Sequence, residues 1–223
     1  NVVMTIVAMF LIDRLGRKPL LIIGSLGITL SLGIVGISFM MADYKITEES
    51  IQQIRIEIAE SRDEEKAEMV VESLGEMLNI EYKKESMFFK QVKVIIGSEN
   101  YNLHKEQILK HSITISSIWV LIGLILFVAS FAISLGPVMW ALLSEIFPNR
   151  LRGLAISIVG FWNSIVSFSV ATVFPIQLEH LGSSVTYLIF AFFGFMTFLF
   201  VLRFIPETKG RSLEELEERL VRK

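Results

Sequence analysis

The sequence predicts an all-α integral membrane helical bundle, and three observations carry that prediction. Of 223 residues, 52% are hydrophobic against 20% charged, and the mean hydropathy is +0.59, on the apolar side of a soluble globular domain. Four uncharged runs, 19–41, 113–144, 154–178 and 183–202, each reach about 20 residues or more, enough to cross roughly 30 Å of hydrocarbon. The third observation is the helix-breaking pair Gly136-Pro137 with Trp140 close behind it, inside the second run. At membrane depth, irregular backbone survives only against protein or a wet passage. The pattern therefore points to a transporter, or part of one.

Taken in order, the run 2–12 is too short to span. It has neither a positively charged leader nor a small-residue cleavage site, so it reads as a helix cut in half and the chain as a fragment. Asp13-Arg14-Leu15-Gly16-Arg17-Lys18 is a short basic loop in which Gly16 supplies the turn. In the span 19–41, Ser25, Thr29 and Gly33 recur at four-residue spacing and read as a packing stripe.

The segment 42–112 has no span of its own and is rich in Glu, Lys and Arg. Ile51, Ile54 and Ile58 recur at helical spacing, as do Met69, Leu74 and Met77 less cleanly, so one or two amphipathic helices are expected. The block Asp63-Glu64-Glu65-Lys66 marks a wet face. A solvated insertion and a partner-binding module both fit.

The run 113–144 is followed by the basic loop Asn149-Arg150-Leu151-Arg152, the span 154–178, a short connection 179–182 and the span 183–202. The phenylalanines of 190–204 read as lipid or core contacts. After Pro206, Ser212 and Glu215 form a capping-box signature, and Leu213, Leu216 and Leu220 make one apolar stripe, which predicts a short amphipathic helix. Lysine and arginine in short loops set topology. Both basic loops and the tail 206–223 are then cytoplasmic, while 42–112 and 179–182 face outside.

Without cysteine, the chain has no disulfide framework and no thiolate metal site. His104, His111 and His180 lie outside the apolar runs and read as solvated surface residues, because a proton relay belongs within the membrane. No catalytic or phosphate-cradling motif is present, so no enzyme, cofactor or metal is expected. The basic residues are too few per loop for nucleic-acid binding.

The polar and aromatic residues at membrane depth are the candidate site. Pro137 cannot donate to the carbonyl of Ile133, and Gly136 lets another group approach the backbone. Trp140, four residues on, shares its face. A ring over exposed backbone is a platform for the C–H face of a sugar, with the indole N–H left for a hydroxyl. A kinked helix with a packing tryptophan is the plain alternative. In the next span Ser157, Gly160, Asn163, Ser164 and Ser167 fall on one side. Asn163 offers donors and an acceptor, as a hydroxyl requires, though interhelical bonding would explain it too. At the cytoplasmic edge Arg14, Arg17, Lys18, Arg150 and Arg152 share a depth with Glu145 and Glu207, a set suited to a reversible charge latch.

Three motifs, Asp13-Arg14-Leu15-Gly16-Arg17-Lys18, Gly136-Pro137 through Arg152-Gly153, and Pro206-Glu207-Thr208-Lys209-Gly210, together resemble the sugar porter family of the major facilitator superfamily, most like its bacterial xylose–proton symporters. The resemblance covers nearly all of the chain except 42–112. It implies the carboxy-terminal portion of the fold: residues 1–41 as the end of the eighth helix, a loop and the ninth helix, 42–112 as a charged extracytoplasmic insertion, 113–205 as the tenth to twelfth helices, and 206–223 as a cytoplasmic tail.

It further implies a monosaccharide such as xylose or glucose as substrate, with Phe131, Gly136, Trp140 and Asn163 as sugar contacts. The cytoplasmic gate would comprise Asp13, Arg14, Gly16, Arg17, Glu145, Arg152 and Glu207. Where relatives follow the amide with a tryptophan, this chain has Ser164, and Ser167 replaces a later asparagine. The partners implied are the lipid bilayer, in a bacterial plasma membrane, and the missing amino-terminal half of the same transporter. Symport is implied by the likeness alone, since no carboxylate lies in mid-membrane. A sugar-sensing receptor is the competing reading; such sensors carry long signalling tails, and this tail is short.

Overall fold

The computed structural model describes residues 2–59, 64–147 and 150–210, with the side chains of residues 2, 13 and 64–67 also left aside. The predicted tail helix and Asp63 therefore lie outside the described residues, and of Glu64, Glu65 and Lys66 only the backbone is described. Chain order is α1 (Val2–Leu15), α2 (Arg17–Met40), β1 (Asp43–Lys45), α3 (Glu48–Ala59), α4 (Glu64–Leu74), β2 (Glu81–Tyr82), α5 (Glu85–Ser112), β3 (Ile113–Thr114), α6 (Ser117–Ile133), α7 (Leu135–Ile146) and α8 (Arg152–Phe204). Among the described residues three helical stretches are long and apolar enough to cross a membrane: Arg17–Met40, Ser117–Ile146 and Arg152–Phe204.

The central helix is α2, which packs α6 on one side and the end of α8 on the other. Helix association in lipid depends on close packing, which small residues permit. A Cβ on Gly24 would stand 2.0 Å from Cβ of Ser134, and one on Gly27 would stand 2.3 Å from Oγ of Ser130. From the α6 side, a Cβ on Gly123 would meet Val35 at 2.5 Å. Toward α8, Gly36 faces Leu188 and Gly194 faces Thr29. The stripe expected from sequence is thus displaced. Ser25 is fully buried and Thr29 makes its contact, but Gly33 has nothing within 4 Å, and Gly24, Gly27 and Gly36 do the close packing. Four-residue spacing followed one row of the helix, whereas two partners use two different rows.

Helix α8 is 53 residues long but not straight. Phe174 stacks edge-on against Phe190 with ring centroids 5.8 Å apart, although 16 residues of straight helix would separate them by about 24 Å. The chain reverses at Gly182, whose φ of 81° and ψ of 166° are essentially glycine-only backbone. A loop was expected over 179–182; helical backbone instead continues up to the reversal. One glycine suffices because the amide it exposes, that of Ser183, finds a distant acceptor.

The segment 42–112, read from sequence as an insertion, folds around a core of its own. Strand β1 pairs antiparallel with both β2 and β3, and Tyr44, Ile54, Ile58, Val70, Leu74, Met77, Phe88, Val92 and Ile108 are almost completely buried. The Ile54–Ile58 stripe forms as read. In α4 the buried residues are Val70 and Leu74, joined by Met77 in the 3-10 turn that follows, while Met69 is 56% exposed. The short strands carry too few residues to announce a sheet in the sequence. Helix α5 also doubles back, at Gly97, bringing Phe89 and Tyr101 to 5.7 Å. His104 does not lie on a solvated surface: it shares a face of α5 with Tyr101 and Ile108 and is buried. His111 lies 3.2 Å from Glu57, whose carboxyl is lowered chiefly by the Lys110 ammonium, and His180 is exposed.

Candidate functional site

The break between α6 and α7 falls at Ser134, with φ −122° and ψ −96°. Pro137 lies in the first turn of α7, where a missing N–H costs nothing because that turn's amides have no intrahelical acceptor. The turn restarts with the amide of Val138 donating to the carbonyl of Ser134 at 2.9 Å. Gly136 gives room to Phe131: a Cβ there would lie 3.3 Å from the Phe131 carbonyl oxygen and 3.5 Å from its ring. Phe131 stacks on Phe127 and stays 46% exposed.

Trp140 leans on α8. Its Cη2 lies 3.8 Å from where a Cβ on Gly160 would be, and the side chain is 41% exposed. Asn163, three residues beyond Gly160 and so near the same face, is exposed, and its side-chain amide has no hydrogen-bond partner among the described residues. Ser157 and Ser164 donate to carbonyls of their own helix, those of Gly153 and Gly160, at 2.8 and 3.0 Å. Phe131, Gly136, Trp140 and Asn163 thus cluster about the helix break and the face of α8 beyond it. Every residue from 161 to 173 is exposed.

At the opposite end from the insertion, charged groups converge. Arg17 donates through Nε at 2.9 Å and Nη2 at 2.6 Å to a single oxygen, Oε1 of Glu145, and through Nη1 to the carbonyl of Ile12. The second oxygen, Oε2, accepts the Thr208 hydroxyl at 2.6 Å. Glu207 pairs with no guanidinium side chain among the described residues. Its carboxylate accepts the backbone amides of Arg17, Lys18, Thr208 and Lys209 at 2.9 to 3.2 Å, capping the start of α2. Burial pushes the Glu207 carboxyl up, but the amides of Lys209, Arg17, Lys18 and Thr208 outweigh it and hold it below the usual range. Gly16, with φ 95°, admits the carboxylate, since a Cβ there would stand 2.7 Å from Oε2 of Glu207.

Of the other gate candidates, Arg14 is exposed and offers its carbonyl to Lys209 Nζ at 2.5 Å, and the side chain of Asp13 lies outside the described residues. Nε of Arg152 is buried without a partner among the described residues. Thr208 was not singled out from the sequence. Its place beside Glu207 in the Pro206–Gly210 motif was the one available signal.

Residues 1–57 and 94–220 match a family model described as sugar (and other) transporter. Curated relatives include the glucose transporter GlcP of Staphylococcus epidermidis, 46% identical over 47% of this chain and 24% of its own length. The D-xylose-proton symporter of Escherichia coli is 42% identical over 44% of this chain and 21% of its own. Among solved structures, the inward-open xylose transporter XylE from E. coli matches with a TM-score of 0.61 at 27% identity, over 98% of this chain and 33% of that one. The chain therefore spans about a third or less of the length of the proteins it matches.

Proposed function

Because this chain belongs to the sugar (and other) transporter family and is a multi-pass integral membrane protein, we propose that the whole protein carries a monosaccharide across the membrane by alternating access. The substrate is a pentose or hexose such as xylose or glucose, the class named for several relatives. One observation carries the reading: Trp140 rests on Gly160 while its indole stays 41% exposed, beside a helix break and near the unpartnered Asn163. An aromatic face and an amide then offer a sugar its two kinds of contact. The exposed face of 161–173 borders the passage, and the remainder of a full-length transporter supplies the facing wall.

The inner end is the gate. Arg17, Glu145, Thr208 and Glu207 close it in one state and part in the other, with Asp13, Arg14 and Arg152 at its edge.

Sugar binding to the full-length protein tests the platform. Trp140→Ala should weaken affinity about tenfold or more, roughly 1.4 kcal/mol, with little change in thermal stability. Unchanged affinity in a binding titration would remove the sugar site from this position.

A further inference from the structure

We infer that Glu85 is a positioning residue that turns the insertion into a brace across the outer ends of three membrane helices. This rests on the transport reading for its consequence, not for its geometry.

The brace has two attachments. Strand β1 follows α2 within three residues, and strand β3 precedes α6 by a similar distance. Their pairing, Asp43 with Thr114 and Tyr44 with Ile113, ties the ends of α2 and α6 directly together. Ser50 reinforces the joint by donating its hydroxyl to the carbonyl of His111 at 2.6 Å. The second attachment reaches the third helix. Glu85, first residue of α5, accepts the Ser183 amide on Oε2 at 2.7 Å and the Ser183 hydroxyl on Oε1 at 3.1 Å. Ser183 opens the returning half of α8, so this carboxylate supplies the cap that the one-residue reversal at Gly182 leaves unmade.

Gly182 is shaped for the contact, since a Cβ there would stand 3.3 Å from Oε2 of Glu85. Tyr44 on β1 lies within 3.4 Å of the same oxygen, joining both attachments at one carboxylate. Phe88, stacked on Tyr44, continues the joint into the insertion core. The contact is therefore continuous with a packed body rather than with a loose loop.

The consequence concerns motion. The non-helical break at Ser134 separates α6, which is tied to the brace, from α7, which carries Trp140 and Glu145. With α2, α6 and the returning half of α8 held together outside, a rearrangement at the break moves α7 and the inner gate while the outer ends keep their spacing.

Spin-label distances in the reconstituted full-length protein test this, with any cysteines elsewhere removed. Met41→Cys with Leu181→Cys reports the outer ends, and Leu15→Cys with Leu151→Cys reports the inner ones; all four native residues are exposed. The expected result is one narrow outer distance that xylose or glucose leaves in place while the inner distance shifts. Glu85→Ala should broaden the outer distribution about twofold or more, and Glu85→Gln, which keeps an acceptor, should restore most of it.

An outer distance that shifts with sugar as much as the inner one, or that ignores Glu85→Ala, would overturn the brace. If sugar shifts neither pair, the transport reading fails, and the Glu85→Ala comparison still decides the brace. Should Glu85→Ala not fold, the wild-type comparison of the two pairs decides it.

Discussion

Thr208 donates its hydroxyl to Oε2 of Glu145 at 2.6 Å while Arg17 occupies the other oxygen, Oε1. The carboxylate is shared by two elements that meet only in the folded chain, the start of α2 and the segment after α8. Thr208 is 4% exposed, so the bond is shielded from water on one side. Thr208→Val keeps the shape and deletes the donor. The expected loss is about 1.5 kcal/mol, the low end for a bond to a charged group, because Glu145 is 28% exposed. Thr208→Ser should lose far less. Thermal unfolding of the full-length protein in detergent checks both, and equal stability of Thr208→Val and wild type would refute the assignment.

The cap on α2 sets an acid limit. Glu207 has a lower carboxyl pKa folded than unfolded, so the folded state binds its proton less readily. The stabilisation is complete above the unfolded value of about 4.3 and is lost as pH falls through the lower folded value. Glu207→Gln should lower stability at neutral pH and flatten this acid limb. Unfolding midpoints collected from neutral to strongly acidic pH would show it.

Gly16 and Gly182 adopt the same glycine-only backbone, φ 95° and 81°, each just before a helix and each against a distant glutamate. Alanine at either site should cost about 1–3 kcal/mol from backbone strain. Gly16→Ala should be the worse, since its methyl would approach the Glu207 carboxylate to 2.7 Å against 3.3 Å for Gly182 and Glu85. The reverse ranking in a stability assay would contradict the caps described above.

Two glycines of α2 make opposite predictions from one substitution. Gly24→Ala drives a methyl to 2.0 Å from Cβ of Ser134 and forces α2 and α6 apart, at a cost of about 1–3 kcal/mol or more. Gly33→Ala enters open space and should be neutral or gain up to about 1 kcal/mol from helix propensity. Expression and unfolding of the two variants side by side make the comparison.

Legibility in the sequence followed the range of the interaction. The spans were legible because an uncharged run of about 20 residues has few other places to go. That a break lies near Gly136-Pro137 was legible because proline acts on its own turn, but its place at Ser134, two residues earlier, was not. Trp140 on the face of Gly136 followed from helical periodicity alone. The partner of Gly136, the ring of Phe131, did not, because it depends on how α6 ends. The packing stripe of α2 was misplaced by one row for the same reason: a small residue announces close approach without naming the helix that approaches.

The charges gathered around Arg17 and Glu207 show the division most clearly. Their types and common depth were readable. Glu207 as an acceptor of backbone amides instead of a guanidinium partner was not readable, nor was Arg17 holding one oxygen of Glu145 and Thr208 the other. The insertion is a similar case. Its Ile54–Ile58 stripe appeared in the sequence, whereas its sheet of two- and three-residue strands had no periodicity long enough to see.

By itself the sequence determined that this chain crosses a membrane several times, that one helix breaks close to Gly136-Pro137, and which polar and charged residues share a depth, because each of these depends on neighbours within a few turns. Tertiary structure alone decided which carboxylate caps which helix, how the insertion closes on its own core, and that single glycines reverse the chain. Those outcomes join groups as far apart as the 190 residues between Arg17 and Glu207, and an electrostatic or steric match across that distance exists only once the helices have packed.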